Sequence, residues 1–267
     1  MLKLGGELLE DRQAVAAAAA AIVRLQSGGP LVVVHGGGRA IDAELRARGQ
    51  SPQFVDGLRI TDDAALDAVV SVLAGRTNTA LVAAVEAAGV RAIGLTGADG
   101  GIGRCRRAGA FQTVAGDRVD LGLVGEPDAT DVALLTTLVA IGWIPVVASI
   151  GVDHDGVLLN VNADVLAAHL AVALAARRLI VAGGTPGVLD GDGHTVVELD
   201  VQAIDAITAS GVAHSGMIAK LAACRRAFAN GVKDVSIVSG RGADDLAAAP
   251  GTRLVPVRPE ASVEIKA

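Results

Sequence analysis

Six short stretches of this chain gather the residue types that handle anions. Lys3-Leu4-Gly5-Gly6 sets an ammonium at the end of an apolar run, followed by two residues without side chains. Backbone N–H groups and a cation can then approach one anion closely. Read alone, it is equally a surface lysine before a tight turn. His35-Gly36-Gly37-Gly38 follows the apolar run Leu31–Val34 and precedes a helical pattern. Three glycines let the chain pass near a ligand and aim N–H groups and a helix N-terminus at negative charge. The end of a buried strand is also where open α/β sheets bind ligands. Gly-x-Gly-x-x-Gly cannot be laid on Gly36–Ile41, and Gly-x-x-x-x-Gly-Lys-Ser/Thr is absent, so neither the dinucleotide fingerprint nor a P-loop is present. His35 reads as a packed or orienting residue rather than a base.

In Gly57-Leu58-Arg59-Ile60-Thr61 an arginine sits between apolar residues after a flexible glycine, which suits either a grip on a carboxylate or a surface ion pair. Asn160-Val161-Asn162-Ala163-Asp164 puts two amides on one side of a strand and a carboxylate in the first turn of a helix. Asn162 and Asp164 also have the character of helix caps. His214-Ser215-Gly216-Met217-Ile218-Ala219-Lys220 opens a helix with a lysine about one turn in, where a cation is unfavourable unless an anion is near. Gly183–Asp190 is a glycine-rich loop after an apolar run.

The elements that must position these residues alternate. Strands are expected at Leu2–Leu4, Leu31–Val34, around Gln53–Thr61, and at Ala92–Leu95, Ile144–Ala148, Val157–Leu159, Leu179–Ala182 and Ser236–Val238. Helices are expected from Asp11 to Gln26, at Arg39–Arg48, Asp62–Ala88 (with Gly75 a possible interruption), Asp131–Ile141, Ala163–Ala176, Val201–Ser210 and Ile218–Asn230. Gly97–Asp128 reads as surface hairpins. The pattern predicts an α/β fold, an open and mainly parallel sheet sandwiched between helix layers. Two lobes, 1–176 and 177–267, are expected to share that sheet as a single domain.

Composition narrows the partners. Of 267 residues, 51% are hydrophobic and 19% charged, which excludes general disorder. Three Phe, one Trp and no Tyr leave almost nothing on which to stack bases, and a net charge of −6 has the wrong sign for nucleic acid or an anionic membrane. Cys105 and Cys224 lack zinc spacing and are expected as free thiols, and no metal site on the protein itself is expected. Val132–Val152 carries no charge but contains Gly142, Pro145 and Gly151, so it divides into a helix and a strand rather than a membrane span. With Lys3 so near Met1, no leader is expected and the location is expected to be cytoplasmic.

Taken in order, Lys-Leu-Gly-Gly, Val-His-Gly-Gly-Gly, Gly-Leu-Arg-Ile-Thr, Asn-Val-Asn-Ala-Asp and Gly-Met-Ile-x-Lys resemble the amino acid kinase family, and within it the kinases of N-acetylated glutamate. The resemblance runs from Lys3 to at least Gly240. It implies phosphorylation of the γ-carboxylate of N-acetyl-L-glutamate by ATP in arginine biosynthesis, with Mg²⁺ riding on the phosphates. Lys3 and Lys220 would stabilise the transferring phosphoryl group, and Asp164 would orient both. Gly37, Gly38, Arg59, Asn160 and Asn162 would hold the acyl amino acid. Gly5, Gly6, Gly184, Thr185, Pro186, Gly187, Val188, Leu189, Val212, Ala213, His214 and Gly216 would border the nucleotide. Similar enzymes carry Ser/Thr-Asp-Val where this chain has Gly183-Gly184-Thr185, so one nucleotide contact is expected to be missing. With two residues before Lys3 there is no room for the extra helix of arginine-inhibited relatives. An arginine-insensitive homodimer is therefore expected, with Asp62–Ala88 as its candidate interface. The alternatives are a kinase of an aminoadipate derivative and a catalytically silent amino-acid-binding protein of the same fold.

Overall fold

The structure is a computed structural model that describes residues 1–113, 116–210, 215–242 and 245–257. The chain opens with β1 (Leu2–Leu4), α1 (Arg12–Gln26), β2 (Val33–His35) and α2 (Gly38–Ala47). Asp11 caps α1 by accepting the Ala14 N–H at 2.8 Å, one of the donors a helix start leaves unpaired. A hairpin of β3 (Phe54–Val55) and β4 (Leu58–Arg59) comes next. Asp56 and Gly57 turn it at φ 44° and 77°, the left-handed pair a two-residue hairpin turn requires.

The expected long helix is a rod in three parts: α3 (Asp63–Val70), a π-helical segment Ser71–Thr77 that contains Gly75, and α4 (Asn78–Ala87). By length and composition alone Asp63–Ala87 equals a membrane span, and its Val69, Val72, Leu81 and Val85 are wholly buried in the protein's own core.

The next elements are β5 (Ala92–Thr96), β6 (Arg104–Arg107), β7 (Phe111–Gln112), β8 (Arg118–Val119), β9 (Val124–Ala129) and α5 (Ala133–Ala140). Then come β10 (Ile144–Ala148), β11 (Ile150–Val152), β12 (Leu158–Val161) and α6 (Ala163–Ala173). The last are β13 (Arg178–Gly183), β14 (Glu198–Leu199), α7 (Val201–Ser210), α8 (Ser215–Ala229), β15 (Asp234–Ser239) and β16 (Gly251–Leu254).

Eight strands form one sheet in the order β14-β16-β15-β13-β1-β2-β10-β5, parallel throughout except between β15 and β16. Strands from the two halves of the chain meet where β1 pairs with β13. Successive side chains of β1 point to opposite faces of this sheet. Leu2 and Leu4 face a core shared with α1 and α4, and the opposite face carries the core of α6 and α8. Lys3 lies between them in sequence and therefore points to the α6 side.

The stretch Gly97–Asp128 departs from expectation. Only β7 and β8 form a surface hairpin, while β6 and β9 close a small barrel with β11 and β12. That barrel buries Ile102, Cys105, Leu121 and Leu159. Glycine makes it possible: a Cβ on Gly151 would stand 2.5 Å from Cys105 Sγ, so bulkier strands could not close. Val132–Val152 divides into α5, β10 and the unexpected β11. The edge strand β14 and its neighbour β16 also have no counterpart among the strands expected from sequence.

Candidate active site

The ends of β1, β2 and β12, the β3–β4 hairpin and the start of α6 enclose a cleft of ≈ 270 Å³. At its floor Lys3, 6% exposed, forms an ion pair with Asp164, its Nζ 2.9 Å from Oδ1. A buried ammonium without a partner would be costly, and this pairing removes the cost for both groups. Asp164 is held in turn by its helix. Asn162 Oδ1 accepts the N–H groups of Asp164 at 2.9 Å and Val165 at 3.2 Å, so α6 starts at a fixed point with its N-terminus toward the cleft. The Asn162 oxygen expected for substrate is thereby committed to the cap.

Glycine brings the remaining walls together. A Cβ on Gly6 would lie 2.5 Å from the Gly37 Cα, so the turns after β1 and β2 touch backbone to backbone. A Cβ on Gly37 would meet Leu73 Cδ2 of the π-helical segment at 2.7 Å, while Gly38 begins α2 with open space beside it. Behind them His35 is fully buried. Asn78 Nδ2 lies 2.8 Å from the Val146 carbonyl, which makes it the amide nitrogen, and it donates to His35 Nε2 at 3.1 Å. Nδ1 then carries the proton and donates to the Gly36 carbonyl at 3.2 Å. Burial lowers the His35 pKa to about 4, so the ring is neutral and braces the glycine turn, the orienting role expected of it.

Lys220 arrives from α8, whose Leu221, Cys224 and Ala227 are buried against the sheet. Its Nζ lies 3.1 Å from the position of a Cβ on Gly183, and Glu7 Oε1 lies 3.1 Å from that same point. Cys224, one helical turn beyond Lys220, senses the whole group. Burial drives its thiol up to about 12, Asp164 adds to the rise, and Lys220 and Lys3 oppose it. Lys220 does not itself line the cleft, but Glu7, which does, lies in the field of both lysines, brought together from distant parts of the chain. Asp164 pairs directly with Lys3, whereas the carboxylate near Lys220 at Gly183 is Glu7, which the sequence motifs do not single out.

At the far end of the cleft Arg59 is 9% exposed. Its Nη2 donates to Asp42 Oδ1 at 2.6 Å and to the Gly38 carbonyl at 3.2 Å, and its guanidinium lies 4.6 Å from the Phe54 ring centroid. Nη1 is buried with no partner, an unusual state for a charged donor and one that an anion would relieve. Asn160 on β12 donates to Thr61 Oγ1 at 3.0 Å and lines the same cleft. Asp42 and Phe54 are not singled out by the sequence, and Thr61 enters there only as the end of the motif around Arg59. Asp42 sits one helical turn after Gly38, a spacing that could have flagged it.

In the loop after β13, Glu7 Oε1 accepts the Gly184 N–H at 2.8 Å. Thr185, Pro186 and Leu189 are exposed. Gly187 and Val188 are buried, and the Val188 N–H donates to Thr252 Oγ1 at 2.8 Å, so this half of the loop is anchored to β16 rather than open. Gly5 and Gly6 form the turn beside the cleft, and Gly216 is exposed near the start of α8. Val212, Ala213 and His214 lie outside the described residues. Asp190, Asp192 and His194 cluster with metal-ligand spacing, but all are exposed, in a turn in which the Asp192 N–H donates to Asp190 Oδ1.

A model of the amino acid kinase family matches residues 1–239. The chain is 40% identical over 246 residues to an acetylglutamate kinase of Halorhodospira halophila, covering 90% of this chain and 82% of that one. The crystal structure of smu.665 from Streptococcus mutans matches with a TM-score of 0.80 at 27% identity, over 95% of this chain and 97% of that one. N-acetylglutamate synthase of Neisseria gonorrhoeae, solved with coenzyme A and N-acetyl-glutamate, shares the fold with a TM-score of 0.83 at 24% identity, over 97% of this chain and 59% of that one.

Proposed function

The chain belongs to the amino acid kinase family and is a kinase-type enzyme of it; from that premise we propose that it transfers the γ-phosphoryl group of ATP to the γ-carboxylate of N-acetyl-L-glutamate, giving N-acetyl-L-glutamyl 5-phosphate and ADP. The reaction is a step of arginine biosynthesis. The observation that carries this reading is that Lys3, on the floor of the glycine-walled cleft, and Lys220, beside Gly183, both act on Glu7 at the edge of that cleft. The acetylglutamate kinases aligned over most of both chains support the choice of acceptor.

A carboxylate with a pKa near 4.3 is already ionised and nucleophilic at neutral pH, so the reaction needs no general base. What remains is alignment, and neutralisation of negative charge spread over the equatorial oxygens in flight. Lys3, held in the interior, and Lys220, carried by α8, supply two ammonium groups for that need, with N–H groups at the Gly37–Gly38 start of α2. Arg59 Nη1 takes the α-carboxylate of the acid, and Asn160 its acetamido group. Gly184, Thr185 and Pro186 border the nucleotide.

Mg²⁺ fits as a companion of the phosphates. Asp164 is engaged by Lys3 and Glu7 by Gly184, so the ion would be held by phosphate oxygens and would neutralise part of their charge.

Trapping the acyl phosphate as a hydroxamate tests the proposal. With MgATP and N-acetyl-L-glutamate, hydroxamate should form in step with ADP, and the homologue one methylene longer should be a poor substrate. Product from the longer acid alone would transfer the assignment to that acid. ATP binding with no product from either would indicate a silent protein.

A further inference from the structure

Among the described residues, Glu7 is the one that lines both the cleft and a second cavity, of ≈ 370 Å³, between α1 and the Gly240–Gly242 turn. Its carboxylate accepts the Gly184 N–H at 2.8 Å and folds back over Gly5, where a Cβ would lie 2.4 Å from Oε2. It shares the space above Gly183 with Lys220 Nζ. Burial alone would raise its pKa. Hydrogen bonds from its own N–H and from Gly184, with the charges of Lys3 and Lys220, outweigh that and hold it below the usual carboxylate range. A backbone N–H with two ammonium groups nearby is a seat for a phosphate oxygen. In this cleft an internal carboxylate fills it. Arg241 stands on the other side: its Nε is 3.4 Å, and Glu7 Cγ 3.3 Å, from the position of a Cβ on Gly184. Arg241 also lines the second cavity. Rotation about the side-chain bonds of Glu7 would carry the carboxylate from the lysines toward this guanidinium.

We propose that Glu7 is a placeholder anion, seated where a nucleotide phosphate binds and displaced toward Arg241 when the phosphates arrive. The inference rests on the nucleotide reading above. Phosphates and a carboxylate repel one another in a partly buried site, so they cannot share Gly184 and Lys220. The protein therefore gives up part of its phosphate affinity to eject its own side chain.

Calorimetry with ATP, tripolyphosphate and adenosine on the intact chain tests this. Glu7→Gln keeps an oxygen for the Gly184 N–H and removes only the charge. It should bind ATP and tripolyphosphate roughly fivefold to tenfold more tightly than wild type, with adenosine unchanged. Arg241→Gln should weaken ATP binding in the wild-type background and leave it unchanged in the Glu7→Gln background. Unchanged or weaker tripolyphosphate binding by Glu7→Gln overturns the placeholder, and so does a gain that adenosine shares. Equal weakening by Arg241→Gln in both backgrounds overturns the displacement toward Arg241. Should no variant bind ATP, the nucleotide reading falls, and tripolyphosphate alone still decides whether Glu7 guards an anion seat.

Discussion

The two ends of the cleft hold their cations by different means. At the transfer end, strand alternation drives Lys3 into the interior beneath α6, where Asp164 compensates it. Lys220 comes from a helix packed on the same core. At the acid end, Arg59 stands on a two-residue strand of a small hairpin, fixed by Asp42 and a stacked Phe54 that is itself 50% exposed. One end is built by the sheet and the other by an appendage to it. Substitutions at the first should therefore cost rate, and at the second affinity and choice of acid.

Lys3→Met should show the largest effect. Turnover should fall by roughly 10²–10³-fold, and chemical denaturation should register a loss of about 3 kcal/mol because Asp164 is left buried and unpaired. Adding Asp164→Asn should restore much of the stability and none of the rate. Recovery of both would mean that the ammonium acts on the fold alone. Arg59→Lys comes next. Steady-state kinetics should give a KM for the acid roughly tenfold to a hundredfold higher with kcat nearly intact, since lysine cannot reproduce the forked donor. A fall in kcat at unchanged KM would erase the contrast between the two ends.

The effect least visible at neutral pH concerns His35, which braces the glycine turn joining them. Its pKa is lowered from 6.5 to about 4 in the fold, so between those values the unfolded chain binds a proton that the native protein does not. Stability should decline as pH falls from 6.5 to about 4, by at most about 1.4 kcal/mol per pH unit, and this contribution should level off below. Urea unfolding of His35→Gln across that range should lack this component of the slope.

The uncharged strand β10, the apolar run of β13 after Arg178 and the capped starts of α1 and α6 are legible in sequence because their signals are local. The same holds for Lys3, Arg59 and Asp164, which sit beside glycines or caps. The barrel was not legible beyond the strand expected at Val157–Leu159, because β6, β11 and β12 have four residues or fewer and glycine interrupts β9 and β11, so alternation never accumulates. Glu7 carried no signal at all: its partner, Gly184, is 177 residues away, and a single glutamate after two glycines reads as solvent-facing. Asp42 and Phe54 act through Arg59; for Asp42 the one local sign is its place a helical turn after Gly38, and nothing beside Phe54 reports its role.

The decisive substitution is Lys220→Ala, read in parallel for turnover and for binding of N-acetyl-L-glutamate. Phosphoryl transfer should fall by roughly 10²–10³-fold, with the acid still bound at nearly wild-type affinity through Arg59. Turnover within a few-fold of wild type would contradict the two-lysine mechanism, because the second ammonium would then have no part in carrying the phosphoryl group.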